Sequence, residues 1–131
     1  MVKYLFMFQA LVDVLFGIPL VFATGAILSL YGLTTDRTGV FVSQWLGAAF
    51  IALAWIAWYA RNWADGEPRR VLIRAGFISS VIGLVVSLIF QLGPGGNTTT
   101  WAFVVLPAIF VVGWGYFSYA TMRPMTRQQP A

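Results

Sequence analysis

The chain contains neither cysteine nor histidine. Their absence excludes disulfides, reactive thiols, His- or Cys-ligated haem and the usual zinc and copper sites, all of which draw on one or both residues. Charge is scarce too: 9% of the 131 residues are Asp, Glu, Lys or Arg, against about 25% in an average soluble domain. Four carboxylates are present, Asp13, Asp36, Asp65 and Glu67, and three of them fall in loop-like stretches. Two-carboxylate chemistry and carboxylate-held metals are therefore not expected, and no residue is assigned a metal.

What remains is apolar. Hydrophobic residues make up 60% of the chain and its mean hydropathy is +0.81. A soluble fold of this length could not hide so much apolar surface, whereas lipid removes the need to hide it. Four apolar segments, at about 4–30, 39–61, 70–92 and 100–122, each meet the ~20 residues needed to cross a bilayer core as a helix. Loop chemistry separates them: Gly32-Leu33-Thr34-Thr35-Asp36-Arg37, then Asp65-Gly66-Glu67-Pro68, then Gly93-Pro94-Gly95-Gly96-Asn97. Links this short make consecutive helices antiparallel neighbours. The expected fold is all-α, a transmembrane four-helix antiparallel bundle formed by residues 1–131 as a single integral membrane domain.

Basic residues set the orientation. Lys3, Arg61, Arg69, Arg70, Arg74, Arg123 and Arg127 belong to one side and Arg37, offset by Asp36, to the other. Seven against one places both termini in the cytoplasm, in a bacterial inner or other plasma membrane. The net charge of +4 is then a topology signal beside anionic lipid headgroups, not a nucleic-acid footprint. Lys3 followed by an apolar stretch superficially resembles a secretory leader. Gln9 and Asp13 inside that stretch argue for a retained helix.

Asp13 is the one acid inside an apolar segment, where a carboxylate costs at least ~2.5 kcal/mol. Gln9, Gly17 and Thr24 fall on nearly the same helical stripe, which points Asp13 towards the protein interior. Pro19, just beyond, removes a backbone hydrogen bond and is expected to kink the helix. Two roles fit. Asp13 takes a proton or a cationic ligand, helped by Gln9 and Gln44, or it pairs with Arg74 or Arg61 and locks helices together. The third segment carries small residues on one face, Gly76, Ser79, Ser80, Gly83 and Ser87, which suits close packing of another helix, a dimer seam or docking of another subunit. The tryptophans Trp63 and Trp101 fall at segment ends, and Trp45, Trp55, Trp58 and Trp114 lie deeper or towards lipid. The glycines around Pro94 lack the lysine of a phosphate loop.

Phe16-Gly17-Ile18-Pro19, Leu30-Tyr31-Gly32, Leu46-Gly47-Ala48-Ala49-Phe50, Ala54-Trp55-Ile56-Ala57-Trp58 and the basic link Arg69-Arg70-Val71-Leu72 follow one another in an order that resembles the DoxX-like group of small four-helix bacterial membrane proteins, in particular its DUF4345 type. The resemblance implies a four-helix bundle of the bacterial plasma membrane. It also implies an association, in a few members, with quinone-linked or redox complexes. It supplies no catalytic motif that maps onto residues of this chain.

The expectation favoured by these features is a non-catalytic accessory or scaffolding subunit of a larger membrane complex, with the bilayer and a protein partner or second copy as neighbours. The alternative is a small proton-coupled transporter or lipophilic-ligand binder centred on Asp13. An enzyme acting on lipid or quinone would have only the Asp13, Gln9 and Arg74 cluster to work with. No cofactor is expected from the residues, with a bound lipid, quinone or pigment left open.

Overall fold

A computed structural model describes residues 1–122 and is all-helical, with no strand among the described residues. Arg123 and Arg127, two of the cations counted above, lie outside them. The helices are α1 (Val2–Phe22), α2 (Thr24–Leu30), α3 (Arg37–Ala60), α4 (Glu67–Leu92) and α5 (Ala102–Met122), with a 3-10 turn at Thr99–Trp101 leading into α5. Four of these stretches are long and apolar enough to cross a membrane: α1, α3, α4 and the turn joined to α5.

Local chemistry explains the ends. The Asp36 carboxylate accepts the Gly39 N–H at 2.7 Å and starts α3 two residues earlier than the apolar run does. Pro68, whose missing N–H costs nothing in a first turn, starts α4 at Glu67 instead of residue 70. Gly32 has φ +69. It closes α2 by donating to Ser29 O, while Leu33 N–H reaches Leu28 O, both at 3.0 Å.

The first segment departs from the single helix expected over 4–30. It divides at Ala23, whose backbone (φ −144, ψ 44) is not helical. Pro19 lies inside α1, and the Ala23 N–H still bonds to the Pro19 carbonyl at 2.7 Å. The interruption therefore comes one turn after the proline. Side chains serve the carbonyls beside it: the Thr24 hydroxyl donates to Leu20 O, and the Gln44 amide reaches across from α3 to Val21 O at 3.2 Å.

The spans pack chiefly as two pairs, α1 with α3 and α4 with α5. Glycine allows the first pair to touch backbone to backbone. A Cβ at Gly47 would lie 2.8 Å from the Gly17 carbonyl oxygen, and one at Gly17 would lie 3.0 Å from Gly47 O. In the second pair Gly76 lies against the Trp114 indole, where a Cβ would come within 3.0 Å of the ring.

The two pairs meet at both ends. At one end Phe6 and Ala10 (α1), Ala57 and Ala60 (α3), Ile73 (α4), and Phe110 and Trp114 (α5) form the buried core. Phe6 and Trp114 meet edge to face, their centroids 4.9 Å apart. At the other end the α4–α5 connection is tied to the end of α2. Asn97 Nδ2 donates to Tyr31 O at 2.9 Å, and Thr99 Oγ1 donates to the same carbonyl at 3.0 Å. Asn97 Oδ1 also accepts the N–H groups of Thr99 and Thr100, while the Thr100 hydroxyl donates to Gln91 Oε1. Replacement of Asn97 by alanine removes the amide arm of this tie. It is expected to cost about 1–2 kcal/mol, measured by reversible unfolding in mixed micelles; an unchanged midpoint would mean that Thr99 alone holds the two pairs together there.

Between the two ends the pairs stand apart. α3 and α4 do not pack along their lengths, and the gap is the site described next.

Candidate membrane-embedded binding cavity

Asp13 is buried, with 2% of its surface exposed. α1 presents it inward, as its stripe predicts, at the level where the packed core gives way to a cavity of about 720 Å³. All four spans contribute to the wall. α1 gives Gln9, Asp13 and Phe16; α3 gives Ser43, Leu46, Phe50 and Leu53; α4 gives Ser79, Ser80, Gly83, Val86, Ser87 and Phe90; α5 gives Leu106, Pro107 and Phe110. A smaller cavity of about 220 Å³ shares Gln9, Asp13, Leu53 and Ser79 and continues towards Phe6, Ala57, Leu72 and Trp114. Asp13 thus sits between two spaces.

Its polar partners form a short chain. Gln9 Nε2 donates to Asp13 Oδ1 at 2.7 Å, four residues apart as one helical turn dictates. Trp114 Nε1 approaches Gln9 Oε1 at 3.4 Å, a long hydrogen bond. The other carboxylate oxygen, Oδ2, is buried and has no hydrogen-bond partner among the described residues. A buried polar atom is nearly always satisfied in a folded protein, by a protein group, a water or an ion, so this carboxylate oxygen is the polar position that the cavity leaves open.

The ion pair weighed for Asp13 does not form. Among the described residues no cation comes within 4.0 Å of it, and Arg70 with Asp65, at 3.6 Å, is the ion pair present. Arg74 is exposed and lines neither cavity. The Arg61 guanidinium lies over the Trp58 ring, 3.3 Å from its centroid. Arg61 caps the end of α3, and Arg74, two turns into α4, stands on its exposed surface, from which a long side chain reaches towards the polar surface more cheaply than towards the interior. Gln44 is also absent from the site, because its amide is committed to the Val21 carbonyl.

The small-residue face of α4 divides between packing and the cavity. Gly76 does pack closely, on Trp114. Ser79, Ser80, Gly83 and Ser87 instead line the larger cavity, and a Cβ at Gly83 would meet nothing closer than Pro107 at 3.9 Å. Small side chains on this face thus serve two ends: Gly76 and Gly83 lie against Trp114 and Pro107 of α5, and the serines leave room for the cavity. Thr24, on the Asp13 stripe, is buried at the α1–α2 break and does not reach the cavity.

Sequence reasoning missed three aromatic residues at the far end. Tyr31 and Phe103 lie 4.5 Å apart between centroids, with Phe16 6.5 Å from Tyr31, and all three face the cavity. Of the tryptophans expected to lie deeper or towards lipid, Trp114 is deep, 2% exposed and part of the core, while Trp45, Trp55 and Trp58 are exposed. Aromatics in a continuously apolar helix carry no periodic signal that separates a lipid-facing ring from an inward one. The one available hint was Gly76, a gap large enough for an indole.

The cavity is not sealed. Leu46 and Leu53 on α3 and Val86 and Phe90 on α4 line it and are also exposed, Leu53 by 49% and Val86 by 60%. It therefore opens sideways, between α3 and α4, onto the apolar surface of the molecule. No group of three or more acidic residues suited to a metal occurs among the described residues. No protein-family model, curated protein or solved structure matches the chain.

Proposed function

We propose that this protein is a membrane-embedded binder or carrier of a lipophilic molecule, held between the two helix pairs with Asp13 as its polar anchor. One observation carries the proposal: an apolar cavity walled by all four spans ends at a buried carboxylate with an unpartnered oxygen. Ligand pockets typically combine a mostly apolar wall with very few placed polar groups. An ionisable residue inside a membrane span is by default a functional residue, since its cost must be offset. The sideways opening gives a lipophilic molecule a path from the bilayer that avoids water.

The proposal includes the arrangement in the membrane. The four spans form an antiparallel bundle in a bacterial plasma membrane, with both termini on the cytoplasmic side. The seven-to-one distribution of basic residues supports this orientation. Resemblance to DoxX-like proteins agrees with four spans and contributes no site residue. An accessory-subunit role drew on the α4 face as a docking surface, and with most of that face lining the cavity, ligand binding is the better-supported function.

Filling the cavity tests it. A Cβ at Gly83 would make ordinary contact with the Pro107 side chain at 3.9 Å, and because Gly83 lines the cavity, Gly83→Phe adds bulk to its wall. With an aryl diazirine photoprobe in lipid nanodiscs, labelling of Phe50 and Phe103 is expected to saturate in the native protein. The variant should need about tenfold more probe, equivalent to ~1.4 kcal/mol. Labelling that rises without saturation, as expected at outward-facing Val112 and Tyr116, would overturn the proposal.

A further inference from the structure

The polar groups at the Asp13 end of the cavity are unbalanced in one direction. The Ser79 and Ser80 hydroxyls both donate to the Gly76 carbonyl, at 3.1 and 2.7 Å. The Gln9 amide donates to Asp13, and the Trp114 indole is directed to Gln9. The donors are thus turned onto the protein itself, and what is left over is acceptor capacity, above all Asp13 Oδ2. With Asp13 ionised, such a site rejects a carbonyl or carboxylate head, which would bring a further acceptor to it. It suits a head that donates or carries positive charge.

Charge narrows the choice further. The helices packed around Asp13 present Leu53 and Ala57 from α3, Gly76 and Ser79 from α4, and Phe110 and Trp114 from α5, none of them titratable. Tyr31, at the far end, is the other titratable side chain in either wall. An ionised Asp13 therefore has no counter-charge beside it among the described residues, and isolated charge in a low-dielectric setting is strongly disfavoured. Either a proton or a bound cation can neutralise it. The wall suits a cation as well: Phe16, Phe50, Phe90, Phe103 and Phe110 line the cavity, and aromatic rings attract cations.

Building on the lipophilic-ligand function proposed above, we infer that the ligand is an amphiphilic organic cation, and that it and a proton occupy Asp13 in mutually exclusive fashion. The apolar body lies among the phenylalanines, and the positive centre replaces the proton at Asp13. Gln9 spans the space between Asp13 and Trp114, and its flexible amide is the group that yields to admit the head.

Two isosteric probes, methyltriphenylphosphonium and the neutral 1,1,1-triphenylethane, test the inference in nanodiscs by calorimetry across pH. Proton and cation compete, so affinity for the phosphonium is expected to rise with pH, by roughly tenfold per unit while Asp13 is mostly protonated. Binding should release about one proton per cation in that range. Triphenylethane should bind independently of pH. Asp13→Asn preserves an acceptor for Gln9, and should keep triphenylethane binding while losing the pH dependence and tenfold or more of the phosphonium affinity, on the order of what one buried ion pair supplies. Equal, pH-independent binding of both probes would overturn the cation inference and leave the lipophilic cavity standing. Failure of the native protein to bind either would overturn the cavity function and the inference with it.

Discussion

Gly47→Leu is expected to lose about 3 kcal/mol of stability, the upper range for overpacking a tight interface. The first atom of the new side chain would meet the Gly17 carbonyl oxygen at 2.8 Å, and Leu20 and Val21 at 2.9 Å. Two of the three obstacles belong to the α1 backbone or to a Cβ, which cannot rotate away. α1 and α3 must separate, and the Gln44 bond to Val21, one turn away, would stretch with them. Gly47→Ala carries the same clash with fewer atoms and should lose about 1 kcal/mol. Reversible unfolding in mixed detergent micelles reads both. A Gly47→Leu protein as stable as the native one would mean that α1 and α3 do not cross at Gly17.

Asp13→Leu is expected to act in the opposite sense, with a gain of about 2 kcal/mol. A central aspartate costs at least ~2.5 kcal/mol in a membrane helix, where leucine is mildly favourable. Loss of the Gln9 hydrogen bond returns about 1 kcal/mol of that. Trp114 still approaches Gln9, and the neighbouring cavities accept the larger side chain without displacing backbone. The same variant should no longer bind a cationic probe. Raised stability with lost binding is the signature of a residue kept for function at the expense of the fold. Lowered stability would instead assign Asp13 a structural role.

Much of this was legible in the residues. Uninterrupted apolar length gives the spans, and the i, i+4 spacing of Gln9 and Asp13 gives their contact. Gly17, on the same stripe, marks a close approach, although not its partner. The break at Ala23 was not legible, because the proline that announces it lies four residues earlier and stays inside the helix. The α4 face could not be interpreted from sequence for a different reason. Glycine and serine at helical spacing describe equally a surface that another helix touches and one from which it stands away, and only the position of α1 and α3 decides. Arg74 misled because its position in the sequence does not say which face of α4 it occupies, and it stands on the exposed one. Finally, in lipid an apolar residue is at home on either side of a helix, so hydrophobic periodicity does not distinguish the cavity wall from the outer surface.

The pairing of the spans has a consequence for how the molecule comes into being. α1 packs on α3 and α4 on α5, each helix against its successor among the spans. Every close contact within a pair is between segments made one after the other, and translation delivers the first pair before the second has been synthesised. Each hairpin can therefore close inside the bilayer without waiting for the rest of the chain. What neither hairpin contains alone is the space between them, with Asp13 on one wall and the Ser79–Ser87 face on the other. The pocket is born last, when two finished halves meet, and of the carboxylate's surroundings the first half supplies the Gln9 hydrogen bond but not the opposite wall.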